Sequence, residues 1–200
     1  MKLVGITQRV SIVPEYGERR DCLDQAWSKF LAECGLLPLL LPNVVETSIA
    51  LCEQAGIAGL VLTGGNDLVE VGGDAPERDA TERVLLGWAE QCGLPILGVC
   101  RGMQVIQQRF SVPFHRIQGH VRKKQIIRIN GEPEEVNSYH HFGTIESLPP
   151  LEAWAVAGDG VVKAICHSAK PMIGIMWHPE RILPFRPSDI ALFRRIFRVQ

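Results

Sequence analysis

Four continuous apolar runs in the first half of the chain constrain the fold more than any other feature of the sequence. They are Leu3–Ile6, Leu36–Leu41, Ile57–Leu62 and Leu94–Val99. None of them alternates apolar with polar residues, which is typical of parallel strands buried on both faces. These runs therefore predict the core of a parallel sheet.

Segments with helical spacing lie between and after these runs. They are Asp21–Cys34, Glu46–Ala55, Ala80–Cys92 and a segment that starts right after Cys100 and ends at about Arg109. This alternation of strands and helices predicts an α/β fold with a flavodoxin-like, doubly wound and mostly parallel sheet flanked by helices.

The second half has short strand-like segments with no long helix between them. Those segments are Gln125–Ile129, Ala153–Ala157, Val161–Cys166 and Met172–Trp177. Turns are expected at Gly131–Pro133 and Gly158–Gly160, because glycine and proline favour them. We expect these strands to extend the sheet as antiparallel additions, and a last helix to cover Ser188–Phe197 with Ser188 as its N-cap. Because no repeat or linker interrupts the sequence, residues 1–200 are expected to form a single domain.

The charge and cysteine content argue against several classes of function. The net charge is −1 and the isoelectric point about 6.6, so no strong field favours nucleic acid or an anionic membrane. The short basic run Arg122–Lys124 is expected to be a solvated loop. No segment approaches the roughly 18 apolar residues of a membrane helix, and the polar start is unlike a signal peptide. Six cysteines without a Cys-x-x-Cys pair favour a cytoplasmic location, with most thiols acting as core residues.

The segment Gly98–Gly102 contains the strongest functional signal. A buried strand is followed by Gly-x-Cys-x-Gly, with Cys100 at its centre, and then directly by a helix. This is the cysteine counterpart of the Gly-x-Ser-x-Gly elbow, where small neighbours let a sharp turn present a nucleophile. The helix N-terminus favours a thiolate, and the N–H of Arg101 could form half of an oxyanion hole. The alternative is that Cys100 is a buried core thiol.

A candidate base lies near the C-terminus, where a strand ends in His178-Pro179-Glu180. Pro179 keeps the backbone at His178 extended, and in an extended chain residues two apart face the same side. Glu180 could then fix the tautomer of the imidazole and stabilise its protonated form. Because a lone histidine at a strand end is more often structural, this interpretation depends on its pairing with Glu180 and Cys100.

Two other segments are candidates for substrate contact. Thr63–Asp67 follows a buried strand and contains Gly64 and Gly65, whose N–H groups could supply a second oxyanion donor. It lacks the Gly-Lys-Ser/Thr ending of a phosphate loop, and a Gly-Gly pair alone is more often a plain turn. Val136–Phe142 is polar and aromatic, but its adjacent histidines point apart in a strand, so substrate contact is favoured over a metal site.

Together these segments resemble the class I glutamine amidotransferase superfamily, and more closely its stand-alone hydrolase branch, the peptidase C26 group. The matching motifs are Leu62–Asp67, Gly98–Gln104, Asn137–His141 and Trp177–Glu180, in the family's order. The resemblance implies one domain of this type, in which Cys100 becomes a γ-glutamyl thioester and His178 and Glu180 complete a triad.

The resemblance also implies the substrate contacts. Backbone N–H groups of Gly65 and Arg101, with Gly64 in the same loop, would hold the oxyanion. The α-amino and α-carboxylate ends of the glutamyl group would be held by Gln104 and by the backbone around Ser138 and Tyr139, and Asn137 and His140 of the same segment are further substrate-binding candidates. Neither a cofactor nor a metal ion is implied. The expected partner is a small γ-glutamyl molecule, and a homodimer is an open expectation.

Details of the sequence look more like the small γ-glutamyl-CDP-amidate hydrolases of capsular phosphoramidate synthesis than the γ-glutamyl-γ-aminobutyrate hydrolases. The latter are longer and usually have a Gly-Gly segment after Gln104, where this chain has Val105-Ile106. An anionic leaving group requires cations, and the candidates are Arg9, Arg78, Arg101 and Arg181. Two alternatives stay open: a glutaminase subunit that delivers ammonia to a separate synthase, and a non-catalytic protein that keeps the fold.

Overall fold

The computed structural model describes all 200 residues of the chain. Its strands are β1 (Lys2–Thr7), β2 (Arg9–Ile12), β3 (Arg19–Cys22), β4 (Leu36–Leu41), β5 (Leu60–Leu62), β6 (Ile96–Val99), β7 (His115–Arg116), β8 (Val121–Ile129), β9 (Glu132–Tyr139), β10 (Phe142–Gly143), β11 (Leu151–Ala157), β12 (Val162–His167) and β13 (Met172–Ile175). Its α-helices are α1 (Ala26–Glu33), α2 (Val45–Ala55), α3 (Pro76–Gln91), α4 (Arg101–Arg109) and α5 (Pro187–Ile196). None of these helices combines the length and the apolar character that crossing a membrane requires.

One nine-stranded sheet organises the molecule, in the order β4-β1-β5-β6-β13-β12-β11-β8-β9. The first five strands of this order are parallel to their neighbours, and the other four continue the sheet in antiparallel pairs. When the five parallel strands are numbered by their order in the sequence, they lie across the sheet in the flavodoxin-like order 2-1-3-4-5. The predicted α/β fold with added antiparallel strands is therefore confirmed, with one correction: the strand expected at Met172–Trp177 is β13, which pairs in parallel with β6 and not as an antiparallel addition. In such sheets ligands bind outside the carboxyl ends of the parallel strands, which here are the ends of β5, β6 and β13.

Two apolar layers cover the two faces of this sheet. One contains Phe30 of α1 and Phe193 of α5. The other contains Leu85 of α3 and Ile106 of α4. Because successive residues of a strand face opposite layers, each parallel strand has to be apolar along its whole length. This requirement explains the continuous apolar runs of the central strands, whereas in the edge strand β4 Leu37 and Leu40 are 52% and 49% exposed.

The elements of the first half lie close to their predicted positions, with one correction. The helix expected over Asp21–Cys34 begins only at Ala26, because Arg19–Cys22 is a strand that pairs with Arg9–Ile12 in a separate hairpin. Most residues of this hairpin are exposed or half-buried. Each strand has only four residues, and Cys22 is the one apolar residue of β3, so the pattern is too short to predict the hairpin.

The hairpin of β8 and β9 differs from the turn expected at Gly131–Pro133. The turn consists of Asn130 and Gly131, both with positive φ, and Glu132 and Pro133 already belong to β9. Two residues with positive φ form the turn that best suits a two-residue hairpin loop.

The last helix begins one residue earlier than expected. Pro187 occupies its first position and Arg186 its N-cap, so the expectation that Ser188 caps the helix is wrong. Proline is favoured at this position because its fixed φ fits the helix and it has no N–H to leave unpaired.

Candidate active site

Cys100 lies at a sharp turn between β6 and α4, at the carboxyl edge of the parallel strands. Its φ of 54° lies in a region that non-glycine residues rarely adopt. Its N–H donates to the carbonyl of Ile175 at 2.7 Å, which ties the turn to β13. A Cβ on Gly102 would lie 2.1 Å from the carbonyl oxygen of Leu62, and one on Gly98 would lie 2.4 Å from that of Gly102. Space alone therefore requires both glycines of the elbow.

His178 and Glu180 form a buried pair beside this turn. Nδ1 of His178 is 2.8 Å from Oε1 of Glu180. His178 is extended, as predicted, but Pro179–Arg181 forms a short 3₁₀ turn, so Glu180 approaches the imidazole through that turn and not along an extended strand. The carboxylate of Glu180 can only accept this hydrogen bond, so Nδ1 of His178 carries the proton. Nε2 is then the nitrogen available to a reacting group.

The thiol of Cys100 and the imidazole of His178 lie on the same side of Gly64. A Cβ on Gly64 would lie 3.3 Å from the Cβ of Cys100 and 3.5 Å from Nε2 of His178, so both groups are within contact distance of one point. Burial acts to raise the pKa of the Cys100 thiol, but the charge of His178 and the N–H of Arg101 outweigh it, and the pKa is lowered. Burial acts to lower the pKa of His178, whereas the Cys100 thiolate and Glu180 raise it to about 9. These opposite shifts favour a thiolate–imidazolium pair.

The loop after β5 offers two unpaired amide N–H groups next to Cys100. The guanidinium of Arg78 holds the carbonyl oxygens of Thr63 at 2.8 Å and Gly64 at 3.1 Å, and also that of Gly65. The N–H groups of Gly64 and Gly65 have no acceptor within the chain. Free N–H groups beside a nucleophile can hold an oxyanion.

Arg78 and Arg101 are interior cations with partners of their own. Arg78 is fully buried, and its Nε donates to Glu82 at 3.0 Å. The guanidinium of Arg101 pairs with both Asp79 and Glu82. This placement corrects the expectation that the two side chains contact a leaving group, because each guanidinium is enclosed. The backbone N–H of Arg101 still lies beside Cys100.

Arg9 and Arg181 lie at the open edge of the site. A Cβ on Gly65 would come 2.8 Å from Cδ of Arg9, whose guanidinium forms no ion pair within the chain. Arg181 approaches Glu180 at 3.3 Å and lies 5.4 Å above the ring of Tyr139. Both arginines line one narrow cavity beside Glu180. The structure thus brings these two candidates together at the site.

Asn137 and Tyr139, at the end of β9, contact His178 from the antiparallel side of the sheet. The Asn137 side chain donates to the carbonyl of His178 at 2.8 Å and accepts from its N–H at 2.7 Å. The ring of Tyr139 lies edge-on to the imidazole, with centroids 5.8 Å apart. Asn137 therefore fixes the backbone of His178, and Tyr139 is the side chain of this segment that faces the imidazole.

Ser138 and His140 turn into the interior, where they meet Lys163 of β12. Nζ of Lys163 is 3.0 Å from Oγ of Ser138 and 2.7 Å from Nε2 of His140, and all three side chains are buried. The expected substrate contact through the backbone around Ser138 and Tyr139 stays a prediction, while the side chains of Ser138 and His140 are turned toward Lys163. Gln104, another expected contact, donates to the carbonyl of Phe142 at 3.0 Å and so lies against the same segment.

Lys163 and His120 are buried groups near the site that the sequence motifs did not indicate. Nε2 of His120 is 2.8 Å from the carboxylate of Asp159. Burial lowers the pKa of Lys163 to about 7, although the Cys100 thiolate and then Asp159 act to raise it. The sequence does contain one signal for Lys163: it is the single lysine inside the apolar run Val161–Cys166, and lysine is rarely buried without a partner.

A groove of about 680 Å³ opens beside Tyr139 and Arg181. Its other charged residues are Lys123, Lys124, Glu135 and Arg186. Lys124 pairs with Glu135 at 2.9 Å, and the two lysines belong to strand β8, not to the loop that was expected. Three of the four cations of the groove have carboxylate partners, since Arg181 pairs with Glu180 and Arg186 with Glu134, and Lys123 is the one without an ion pair. No group of three or more His, Cys, Asp or Glu side chains in the chain could hold a metal ion.

The fold and this arrangement define an α/β protein with a cysteine at a strand–helix elbow beside a histidine–glutamate pair. The sequence model of the Peptidase C26 family matches residues 2–115 and 107–180. The chain therefore belongs to the Peptidase C26 family, as its motifs predict.

Individual relatives are similar over most of their length. The γ-glutamyl-CDP-amidate hydrolase of Campylobacter jejuni is 30% identical over 183 residues, which cover 89% of this chain and 90% of that protein. One subunit of the glutamine-hydrolysing GMP synthase of Methanospirillum hungatei is 28% identical over 187 residues, covering 84% and 85%. A crystal structure described as a GMP synthase subunit of Thermoplasma acidophilum matches with a TM-score of 0.71 at 18% identity, covering 98% of this chain and 93% of that one. The last match concerns the fold alone.

Proposed function

We propose that this protein is a cysteine hydrolase that cleaves a γ-glutamyl amide bond and releases glutamate. The observation that carries the proposal is the convergence of Cys100, His178 and Glu180 at one sheet edge, with opposite pKa shifts of the thiol and the imidazole. In this scheme Cys100 is the nucleophile, His178 is the acid and base, and Glu180 orients the imidazole.

The first step forms a γ-glutamyl thioester. The thiolate of Cys100 attacks the γ-carbonyl carbon, and the N–H groups of Gly65 and Arg101 hold the negative oxygen of the tetrahedral intermediate. The C–N bond then breaks, and protonated His178 donates its proton to the leaving nitrogen. Gly64, which could not carry a side chain between the thiol and the imidazole, leaves space for the reacting atoms.

The second step releases glutamate. His178, now neutral, accepts a proton from a water molecule that attacks the thioester carbon, and Cys100 leaves again as a thiolate. The α-amino and α-carboxylate groups of the glutamyl part would be held by Gln104 and by the backbone of Ser138 and Tyr139. Neither step requires a cofactor or a metal ion.

The cations of the open edge support an anionic leaving group. Arg9 has no ion pair of its own, Arg181 lies beside the catalytic pair, and Lys123 in the groove next to Arg181 is also without an ion pair. We therefore favour γ-glutamyl-CDP-amidate, the substrate in the name of the Campylobacter jejuni relative. γ-Glutamyl-γ-aminobutyrate is the second candidate, since its leaving amine carries only one carboxylate.

A hydrolysis screen tests both the proposed hydrolysis of γ-glutamyl amides and the proposed leaving group. Purified wild-type protein and Cys100→Ala are assayed for glutamate release from γ-glutamyl-CDP-amidate, γ-glutamyl-γ-aminobutyrate and glutamine. The nucleotide amidate should give the highest kcat/KM, and Arg181→Ala should raise its KM about tenfold while changing that for glutamine less. Arg83→Ala, which removes an exposed arginine of α3, is the matched control. A preference for another γ-glutamyl amide would overturn the assigned leaving group, and no hydrolysis of any of them would overturn the function.

A glutaminase component is the second candidate function, favoured by the similarity to one chain of a GMP synthase. Such a component would deliver ammonia to a synthase on a separate chain. It predicts glutamine hydrolysis that is slow for the protein alone and rises when the synthase chain is added. Efficient hydrolysis of a larger γ-glutamyl amide by the protein alone would contradict it.

A further inference from the structure

A buried cluster of four charged side chains joins α3 to the first residue of α4. Arg78, Glu82 and Arg101 are at most 1% exposed, and Asp79 is 8% exposed. Nε of Arg78 donates to Oε1 of Glu82 at 3.0 Å, while the guanidinium of Arg101 pairs with Oε2 of Glu82 and with Asp79. Well-packed apolar side chains of similar volume are often as stable as buried ion pairs or more stable. Stability alone therefore does not explain why the chain buries four charges here.

The guanidinium of Arg78 also gathers three successive peptide oxygens of the loop after β5. Its two terminal nitrogens donate to the carbonyls of Thr63 at 2.8 Å and Gly64 at 3.1 Å, and also to that of Gly65. In a planar trans peptide, the carbonyl and the N–H of the next residue point in opposite directions. The N–H groups of Gly64, Gly65 and Asn66 therefore point away from Arg78, and none of the three has an acceptor within the chain.

These free amides lie next to the reacting pair. A Cβ on Gly64 would lie 3.3 Å from Cβ of Cys100 and 2.7 Å from Cε1 of His178. Gly65 and Asn66 both have positive φ, a turn geometry in which successive N–H groups can converge on one anion. A cation at a carbonyl oxygen also polarises the peptide, which makes its N–H a stronger donor. The contacts of Arg78 thus orient the amides of this loop and strengthen them as donors.

Arg101 carries the other expected donor and is fastened to the same carboxylate. Its N–H lies at the first position of α4, where an amide has no partner within the helix. Glu82 accepts from both guanidinium groups, with one carboxylate oxygen for each. Glu82 therefore links the loop that contains the N–H of Gly65 to the residue that contains the second N–H.

We propose that Arg78 and Glu82 are positioning residues that set the oxyanion hole. Arg78 orients the N–H groups of the loop after β5, and Glu82 fixes Arg78 relative to Arg101. The inference rests on the proposed function in one respect, namely that Cys100 attacks a carbonyl group beside these amides. It assigns a role in the reaction to two residues that touch neither the substrate nor the reacting atoms.

A comparison of two reactions of the Cys100 thiol tests this role without any γ-glutamyl substrate. Iodoacetamide alkylates a thiolate at a saturated carbon, so no oxyanion forms. p-Nitrophenyl acetate acylates the thiolate: the sulfur attacks the ester carbonyl, an oxyanion forms, and p-nitrophenolate leaves with the electrons of the broken C–O bond. Because both reactions use the same thiolate, the ratio of their rates reports on the oxyanion hole and not on the ionisation of the thiol.

Both rates are followed at each cysteine by mass spectrometry in wild type, Arg78→Met, Arg78→Lys, Glu82→Gln and the control Arg83→Ala, which removes an exposed arginine of the same helix. Cys92 is exposed and serves as the reference thiol within each protein. The acylation-to-alkylation ratio at Cys100 should fall about 100-fold in Arg78→Met and about tenfold in Arg78→Lys and Glu82→Gln. It should not change in Arg83→Ala. Arg78→Lys keeps the buried charge and decides the test if Arg78→Met does not fold. An unchanged ratio in a folded variant at position 78, or a wild type whose Cys100 is not acylated, overturns the proposal.

Hydrolysis kinetics with a γ-glutamyl amide provide a second measurement. Because the oxyanion exists only after the attack on the carbonyl, the variants at Arg78 and Glu82 should lower kcat and leave KM nearly unchanged. A higher KM at constant kcat overturns the proposal. The two measurements separate the possible failures. A protein that hydrolyses no γ-glutamyl amide would defeat the proposed function, while the acylation ratio would still decide the role of Arg78 and Glu82.

Discussion

The two halves of the sheet contribute to the site by different means. On the parallel side, the position of Cys100 is set by backbone geometry: a positive φ, and glycines packed directly against neighbouring backbone. His178 follows β13, the last of the parallel strands, and is held instead by side-chain hydrogen bonds: Asn137 of the antiparallel side pairs with its backbone, and Glu180 accepts from its ring. The packing around Cys100 leaves no space for added atoms, and the position of His178 depends on keeping its hydrogen-bond partners. Substitutions on the two sides should therefore fail in different ways.

The largest effect is expected from Cys100→Ala, on the parallel side. It removes the proposed nucleophile, so kcat should fall by about 10⁴-fold or more, while substrate still binds. Hydrolysis rates and calorimetric titration with substrate measure the two quantities. A variant with near-normal kcat would show that the sulfur does not react.

Gly64→Ala should have the next largest effect, because it adds one carbon atom between Cys100 and His178. The new Cβ would lie 2.7 Å from Cε1 of His178, so the imidazole has to move. A displacement of this kind should reduce kcat about 100-fold. Gly87→Ala on α3 is the matched control, since nothing lies within 4 Å of its added Cβ. Equal activity of the two variants would contradict the placement of Gly64.

Asn137→Ala tests the antiparallel side by removing partners. Two buried backbone groups of His178 would lose their hydrogen bonds, which should cost about 1 to 3 kcal/mol of unfolding free energy. Because the base loses its orientation, kcat should also fall about tenfold, with little change in KM. Chemical denaturation and steady-state kinetics measure both. A loss of stability with unchanged kcat would reduce Asn137 to a purely structural residue.

The smallest effect is the pH dependence of kcat/KM, which depends on Cys100 and His178 together. The reactive form combines a Cys100 thiolate with a protonated His178. The acid limb of kcat/KM should therefore lie below the ordinary pKa of a thiol. The alkaline limb should lie near pH 9, where kcat/KM should be about half of its plateau value because His178 is then half protonated. Rates measured from about pH 5 to about pH 10 bracket both limbs and provide the test. An alkaline limb near the ordinary pKa of histidine would contradict the pairing.

The sequence predicts the parallel side of the molecule far better than the antiparallel side. Continuous apolar runs and the Gly-x-Cys-x-Gly spacing identify the buried strands and the elbow, because those features have a local physical cause. Lys163 and Arg78 could not be placed in this way. Whether a lysine or arginine is enclosed depends on groups from distant segments, such as Ser138 and His140 for Lys163 and Thr63 for Arg78.

In the proposed reaction, all substrates pass through one γ-glutamyl thioester on Cys100. Hydroxylamine added during turnover competes with water for such a thioester, and the ratio of γ-glutamyl hydroxamate to glutamate is then measured for several γ-glutamyl amides. A common intermediate predicts the same ratio for every leaving group, and neither product with Cys100→Ala. A ratio that changes with the leaving group would mean that water attacks the amide directly, and the account would be wrong.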